Sequence, residues 1–196
     1  MKECPWITVA DCFISAATRE CLGLDLASHG VKMVTTLYTN ATILTVDSKR
    51  RILRDGAILV DGSRIVAIDK TSSLNTSTHP AACQVDLGQK IVIPGLVNGH
   101  IHLIQSLMRG LAEDMDLHHW ASCAIWPLEV VYEGDDGYIA AKLAMAEMVK
   151  SGTTCFLEPM LPASAGFERI AHAVDEVGIR ACLVRTYAPF SFQRGH

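Results

Sequence analysis

"VIPGLVNGHIH", residues 92–102, sets two histidines one residue apart behind a short apolar run. In an extended chain, residues i and i+2 point to the same side, so His100 and His102 are expected to face one direction together. Two imidazoles converging from one rigid strand can hold a divalent ion such as zinc, for which neutral imidazole is a good ligand. A His-x-His also arises by chance, and the chain has eight histidines. What surrounds the pair therefore decides how it is read.

Beyond His102 the apolar periods become helical. Residues 135–152 open with acidic side chains and place Ile139, Leu143, Ala144 and Met148 at helical spacing, with Gly152 as a C-terminal stop. "TTCFLEPM" follows as a short strand. Residues 164–178 repeat the helix pattern, with Phe167, Ile170, Ala171, Val174 and Val177 on one face and Gly178 at the end, and "RACLVRTY" (180–187) is another apolar strand. Strand, helix, strand, helix, strand predicts a parallel sheet. In βα barrels the chemistry gathers at the C-terminal ends of the strands, and the two histidines end the first strand of this series.

Before the histidines the texture is that of a β unit. Residues 35–47 and 56–69 are rich in β-branched side chains, and Asp61-Gly62 between two apolar runs predicts a hairpin. Residues 70–80 read as a polar loop. Residues 34–90 are thus expected to form a small antiparallel unit, while residues 1–32 match no pattern found further on.

Composition narrows the class. Apolar residues make up 49% of the 196 and charged residues 19%, enough for a buried core. A net charge of −4, with Lys and Arg scattered, gives no electrostatic case for a nucleic-acid partner. No apolar run approaches the roughly 18 residues of a membrane helix. The N-terminal stretch, broken by Asp11, Arg19 and Glu20, is a poor secretory signal. Seven cysteines without a CxxC pair suggest neither a disulfide scaffold nor a cysteine zinc knuckle, and a reducing, cytoplasmic compartment is expected.

The segments "PGLVNGHIHLIQSLMRGLAEDMDLHHWASCAIWPLE" (94–129) and "AMAEMVKSGTTCF" (144–156) resemble the amidohydrolase superfamily. Within it the likeness is to the branch of S-adenosylhomocysteine/methylthioadenosine deaminases, chloro-triazine hydrolases and guanine deaminases, and it runs from about Met33 to Tyr187. The resemblance implies an α/β fold: a small β-sandwich portion over 33–90, then an incomplete (β/α)8 TIM barrel over 91–196, about three strands of eight, with 1–32 as an extension. It implies a metal-dependent hydrolase of carbon–nitrogen bonds other than peptides, an aminohydrolase acting on a nucleoside or heterocyclic amine.

Carried over residue by residue, the resemblance makes His100 and His102 metal ligands, for zinc with iron as the alternative. It places Glu129, in "WPLE", against the substrate sugar, and Arg185, in "LVRTY", against the substrate's polar tail. Read without the resemblance, Glu129 is a solvated helix-start carboxylate and Arg185 a strand-end charge. His118 and His119 are expected at the surface, and Trp120 and Trp126 packed under a loop or at a pocket mouth. The family's catalytic glutamate and aspartate and its two further histidines belong to later barrel strands, so no catalytic residue is assigned to this chain. The expected partner is a small-molecule substrate, with neither nucleic acid nor membrane, and relatives of this kind form homo-oligomers. The competing reading is a truncated, non-catalytic fragment or a module that binds a partner supplying the missing strands.

Overall fold

The computed structural model describes residues 6–8, 35–75, 77, 79 and 82–186. Most of the expected extension, and the tail "SFQRGH", lie outside the described residues. The chain divides between Gly95 and Leu96 into two compact units.

The first unit is one mixed sheet of β1 (Trp6–Thr8), β2 (Thr35–Leu44), β3 (Ile52–Asp61), β4 (Arg64–Lys70), β5 (Cys83–Asp86) and β6 (Ile91–Ile93). The strand order is β1-β6-β2-β3-β4, and β5 also pairs with β2. The expected hairpin forms between β3 and β4. Asp61 stays in the ladder opposite Arg64, and Gly62, at φ 57°, takes the positive angle of the two-residue loop. The expectation of an antiparallel unit holds only for β2–β3–β4. The pairings of β2 with β5, β2 with β6 and β1 with β6 are parallel. The physical reason is the long connection after β4, which lets the chain re-enter beside β2 in the same direction.

Side-chain alternation splits the apolar residues of β2 and β3 between two faces. Tyr38, Ile43, Ile58 and Val60 pack with Val85, Leu87 and Val92 on one side. Leu37, Ala57 and Leu59 pack with Leu74 on the other. Buried on both faces, these strands read as unbroken apolar runs. Among the described cysteines, Cys123, Cys155 and Cys182 are free and Cys83 is disulfide-bonded.

The second unit is a parallel sheet in the order β7 (Leu96–Asn98), β8 (Thr153–Leu161), β9 (Arg180–Arg185). Two main helices, α1 (Asp136–Lys150) and α2 (Phe167–Val177), alternate with these strands. The sequence from 91 to 98 reads as one strand leading to the histidines, but it forms two. Pro94 has no N–H for a ladder, and with Gly95 it separates β6, in the first sheet, from β7, in the second. Pro159 likewise has no ladder N–H but does not split β8; there the register with β9 shifts between Glu158 and Leu161.

The core of this unit joins Leu103, Ile104, Met145, Met148, Phe156, Leu161 and Ile170 with alanines of both helices. Fully burying one side chain such as Phe156 contributes about 1.5–3 kcal/mol. On α1 the expected face holds at Ala144 and Met148 and fails at Ile139 and Leu143. Ala140, Ala141, Ala144, Met145 and Met148 face the core, while Ile139 and Leu143 are exposed. Alanines let the helix approach its neighbours closely, Met145 and Met148 fill the space between them, and Ile139 and Leu143 turn outward. On α2 the expected face holds at Ile170 and Val174. Gly152 and Gly178 stop the two helices at φ 87° and 73°. Among the described residues no helix is long and apolar enough to cross a membrane.

Candidate metal centre

β7 ends at Asn98, two residues before His100, yet the extended track continues: the Ile101 amide donates to the Leu157 carbonyl of β8 at 3.0 Å. With Ile101 held in line, the side chains on either side of it swing together. His100 Nε2 and His102 Nε2 lie 3.2 Å apart, with ring centroids 4.8 Å apart and planes at 87°. Two nitrogens bound tetrahedrally to one zinc, each at about 2.0–2.1 Å, sit roughly 3.3–3.4 Å from each other. The pair therefore fits one cation. Among the described residues no group of three or more His, Cys, Asp or Glu could complete such a site.

Behind His102 stands Glu158 of β8, which is fully buried. Its Oε2 accepts the Leu103 amide at 2.6 Å and its Oε1 accepts the Met160 amide at 2.9 Å. Oε1 also lies 3.3 Å from His102 Nδ1. The hydrogen bond with Glu158 is the main reason that the His102 pKa is raised, partly offset by burial. Sequence reading missed Glu158. Its only local signal is that it is the one charged residue of its strand, one position before a proline.

Glu129 closes the helical turn Trp126–Glu129 and is buried, which overturns the reading of a solvated carboxylate at a helix start. Gln105 Nε2, from the short 3-10 turn Leu103–Met108, donates to Glu129 Oε1 at 2.9 Å. Burial raises the Glu129 pKa, opposed by the Gln105 hydrogen bond and by the charge of His102. Ser164 Oγ donates to the Glu129 carbonyl at 2.9 Å, fixing the backbone as well. Arg185 is exposed at the end of β9, with its Nη1 3.6 Å from Glu168 Oε1 of α2. The structure thus gathers His100, His102 and Glu129 around the turn after β7, while this ion pair takes Arg185 towards α2.

His118 and His119 are exposed, as expected, and Asp116 caps the amides of both. Trp120 is half-buried and lines a cavity of about 250 Å³ with Gln105, Met108, Arg109 and Glu113.

The family model described as "Amidohydrolase family" matches residues 91–191. The chain is 37% identical over 158 residues to a 5-methylthioadenosine/S-adenosylhomocysteine deaminase of Bacillus cereus (strain AH820), covering 81% of this chain and 36% of that protein. Among solved structures, it is similar to a triazine hydrolase from Arthobacter aurescens, with a TM-score of 0.63 and 27% identity, covering 78% of this chain and 35% of that one. It is also similar to an adenosine deaminase from Xanthomonas campestris with bound Zn, with a TM-score of 0.60 and 27% identity, covering 76% of this chain and 33% of that one. The chain thus spans about a third of the length of the relatives it matches.

Proposed function

Because the chain belongs to the amidohydrolase family, we propose that it is the metal-binding N-terminal part of a hydrolase that cleaves carbon–nitrogen bonds other than peptides. The reaction is the deamination of a small nucleoside or heterocyclic amine, in keeping with the deaminases to which the chain is similar. The proposal includes a (β/α)8 barrel, of which β7, β8 and β9 are the first strands.

The observation that carries this reading is the 3.2 Å approach of the two Nε2 atoms beyond β7. His100 and His102 would hold zinc, with iron as the alternative, each through Nε2. A bound ion supplies Lewis acidity and activates water for attack on the carbon bearing the leaving amine. The chain's own residues do the rest of what is proposed here. Glu129, desolvated and steadied by Gln105, presents a hydrogen-bond acceptor to the substrate's hydroxyls. Arg185 offers a cation to its polar tail. With two ligands among the described residues, the chain alone holds zinc more weakly than a site of three or four would, and it is proposed to turn over no substrate by itself.

Equilibrium dialysis of the chain against zinc, with His102→Ala alongside, tests the reading. Stoichiometric zinc is expected on the unaltered chain and its loss in the variant. Undiminished zinc on His102→Ala would refute the assignment.

A further inference from the structure

We propose that Glu158 is the positioning residue of the metal pair: it fixes His102 as the Nδ1–H tautomer and thereby turns the Nε2 lone pair towards His100 and the cation. This deepens the metal-binding reading and rests on it.

The carboxylate cannot swing away from the ring. Oε2 is engaged by the Leu103 amide at 2.6 Å and Oε1 by the Met160 amide at 2.9 Å, so two backbone donors on different segments orient the group. Both oxygens act as acceptors there. The third contact, 3.3 Å from Oε1 to His102 Nδ1, is then satisfied by a ring N–H donating to the carboxylate. In a neutral imidazole that leaves Nε2 as the lone-pair nitrogen, and Nε2 is the atom that points at His100. A carboxylate that orients a ligating imidazole through its far nitrogen is a recurrent feature of zinc sites.

Glu158 also ties the metal pair to the neighbouring strand. Its side chain is wholly buried on β8, 56 residues from His102 and 55 from Leu103. A purely structural role would use the two amide contacts alone. The ring contact adds control of the tautomer, and that property can be read out separately from stability.

The test uses the full 196-residue chain. Long-range proton–nitrogen correlation spectra at pH 8, without metal, report which nitrogen of His102 carries the proton. The Nδ1–H form is expected; the Nε2–H form would overturn the inference. In Glu158→Gln, the amide NH2 opposes one backbone N–H in either orientation, and in the place of Oε1 it also donates to Nδ1, which moves the ring proton onto Nε2. Zinc affinity, measured by competition with a chromophoric chelator, should fall about 10- to 100-fold in this variant. Circular dichroism checks that the variant is folded. A folded Glu158→Gln binding zinc as tightly as the unaltered chain would overturn the inference. If Glu158→Gln does not fold, the spectra of the unaltered chain decide. If the unaltered chain binds no zinc but shows the Nδ1–H form, the metal-binding reading fails while the orienting role of Glu158 stands.

Discussion

Gly137→Ala pits two effects of known size against each other. Gly137 lies in the first turn of α1, where replacement by alanine would ordinarily gain about 1 kcal/mol of helix propensity. A Cβ built there would lie 2.1 Å from the Ala165 carbonyl oxygen and 3.0 Å from the Ala165 carbonyl carbon. The obstacle is backbone, so no rotamer change relieves it. The helix and the Ala163–Ala165 turn must part by about 1 Å to restore ordinary contact, against the turn's own hydrogen bond from the Ala165 amide to the Pro162 carbonyl. Overpacking of this kind costs about 1–3 kcal/mol, and a rigid neighbour on one side argues for the upper end. Subtracting the propensity gain leaves a net loss of about 2 kcal/mol. With a urea dependence of about 1–3 kcal/mol/M, the denaturation midpoint should fall by roughly 1 M. A midpoint unchanged or raised would show that the close approach is not as tight as described. Since Ser164 in the same turn holds the Glu129 carbonyl, the substitution should also disturb the surroundings of Glu129.

Gly178→Ala makes a contrasting case: the position is left-handed at φ 73° but has nothing within 4 Å of the added atom. It should cost about 1 kcal/mol, from backbone strain alone; a loss several times larger in the same urea titration would contradict that. Gln105→Leu removes the donor to the buried Glu129 carboxylate and should destabilise by about 1–3 kcal/mol. Part of that loss should return when Glu129→Leu is added, and a double-mutant cycle showing no coupling would refute the pairing. Tyr138→Phe removes the main cause of the lowered Glu176 pKa, the phenol hydrogen bond, while leaving the ring beneath Arg169. A depressed carboxylate stabilises the fold above its unfolded pKa and loses that contribution as pH falls through the folded value. The deficit of Tyr138→Phe should therefore be present at pH 7 and shrink as the pH falls through the folded value; a deficit that does not change with pH would contradict it.

The strands and the turn between β3 and β4 were legible because local rules suffice there: β-branched runs and one Asp-Gly with a positive-φ glycine. The face of α1 was not. Ten of the fifteen positions of that helix are apolar or alanine, so periodicity singles out no narrow stripe. The choice fell to packing distance, which favoured Ala140 and Ala141 over Ile139 and Leu143. The convergence of His100 and His102 followed from the i, i+2 rule even though the strand ends before them. Glu158 was illegible for a different reason: its partners lie 55 and 56 residues away, and no spacing rule reaches that far. Glu129 was legible as a residue but not as a buried one, since its partners Gln105 and Ser164 lie 24 and 35 positions away.

β7 and β9 each have one neighbour, β8, and no second strand pairs with either among the described residues. Val97 is 73% exposed and Val184 42%. Backbone N–H and C=O groups along such rims will accept any extended chain that drifts past, including another molecule of the same kind. Handling should matter accordingly: dilution, low temperature and moderate salt would keep preparations clear, and crowded or slow refolding would cloud them.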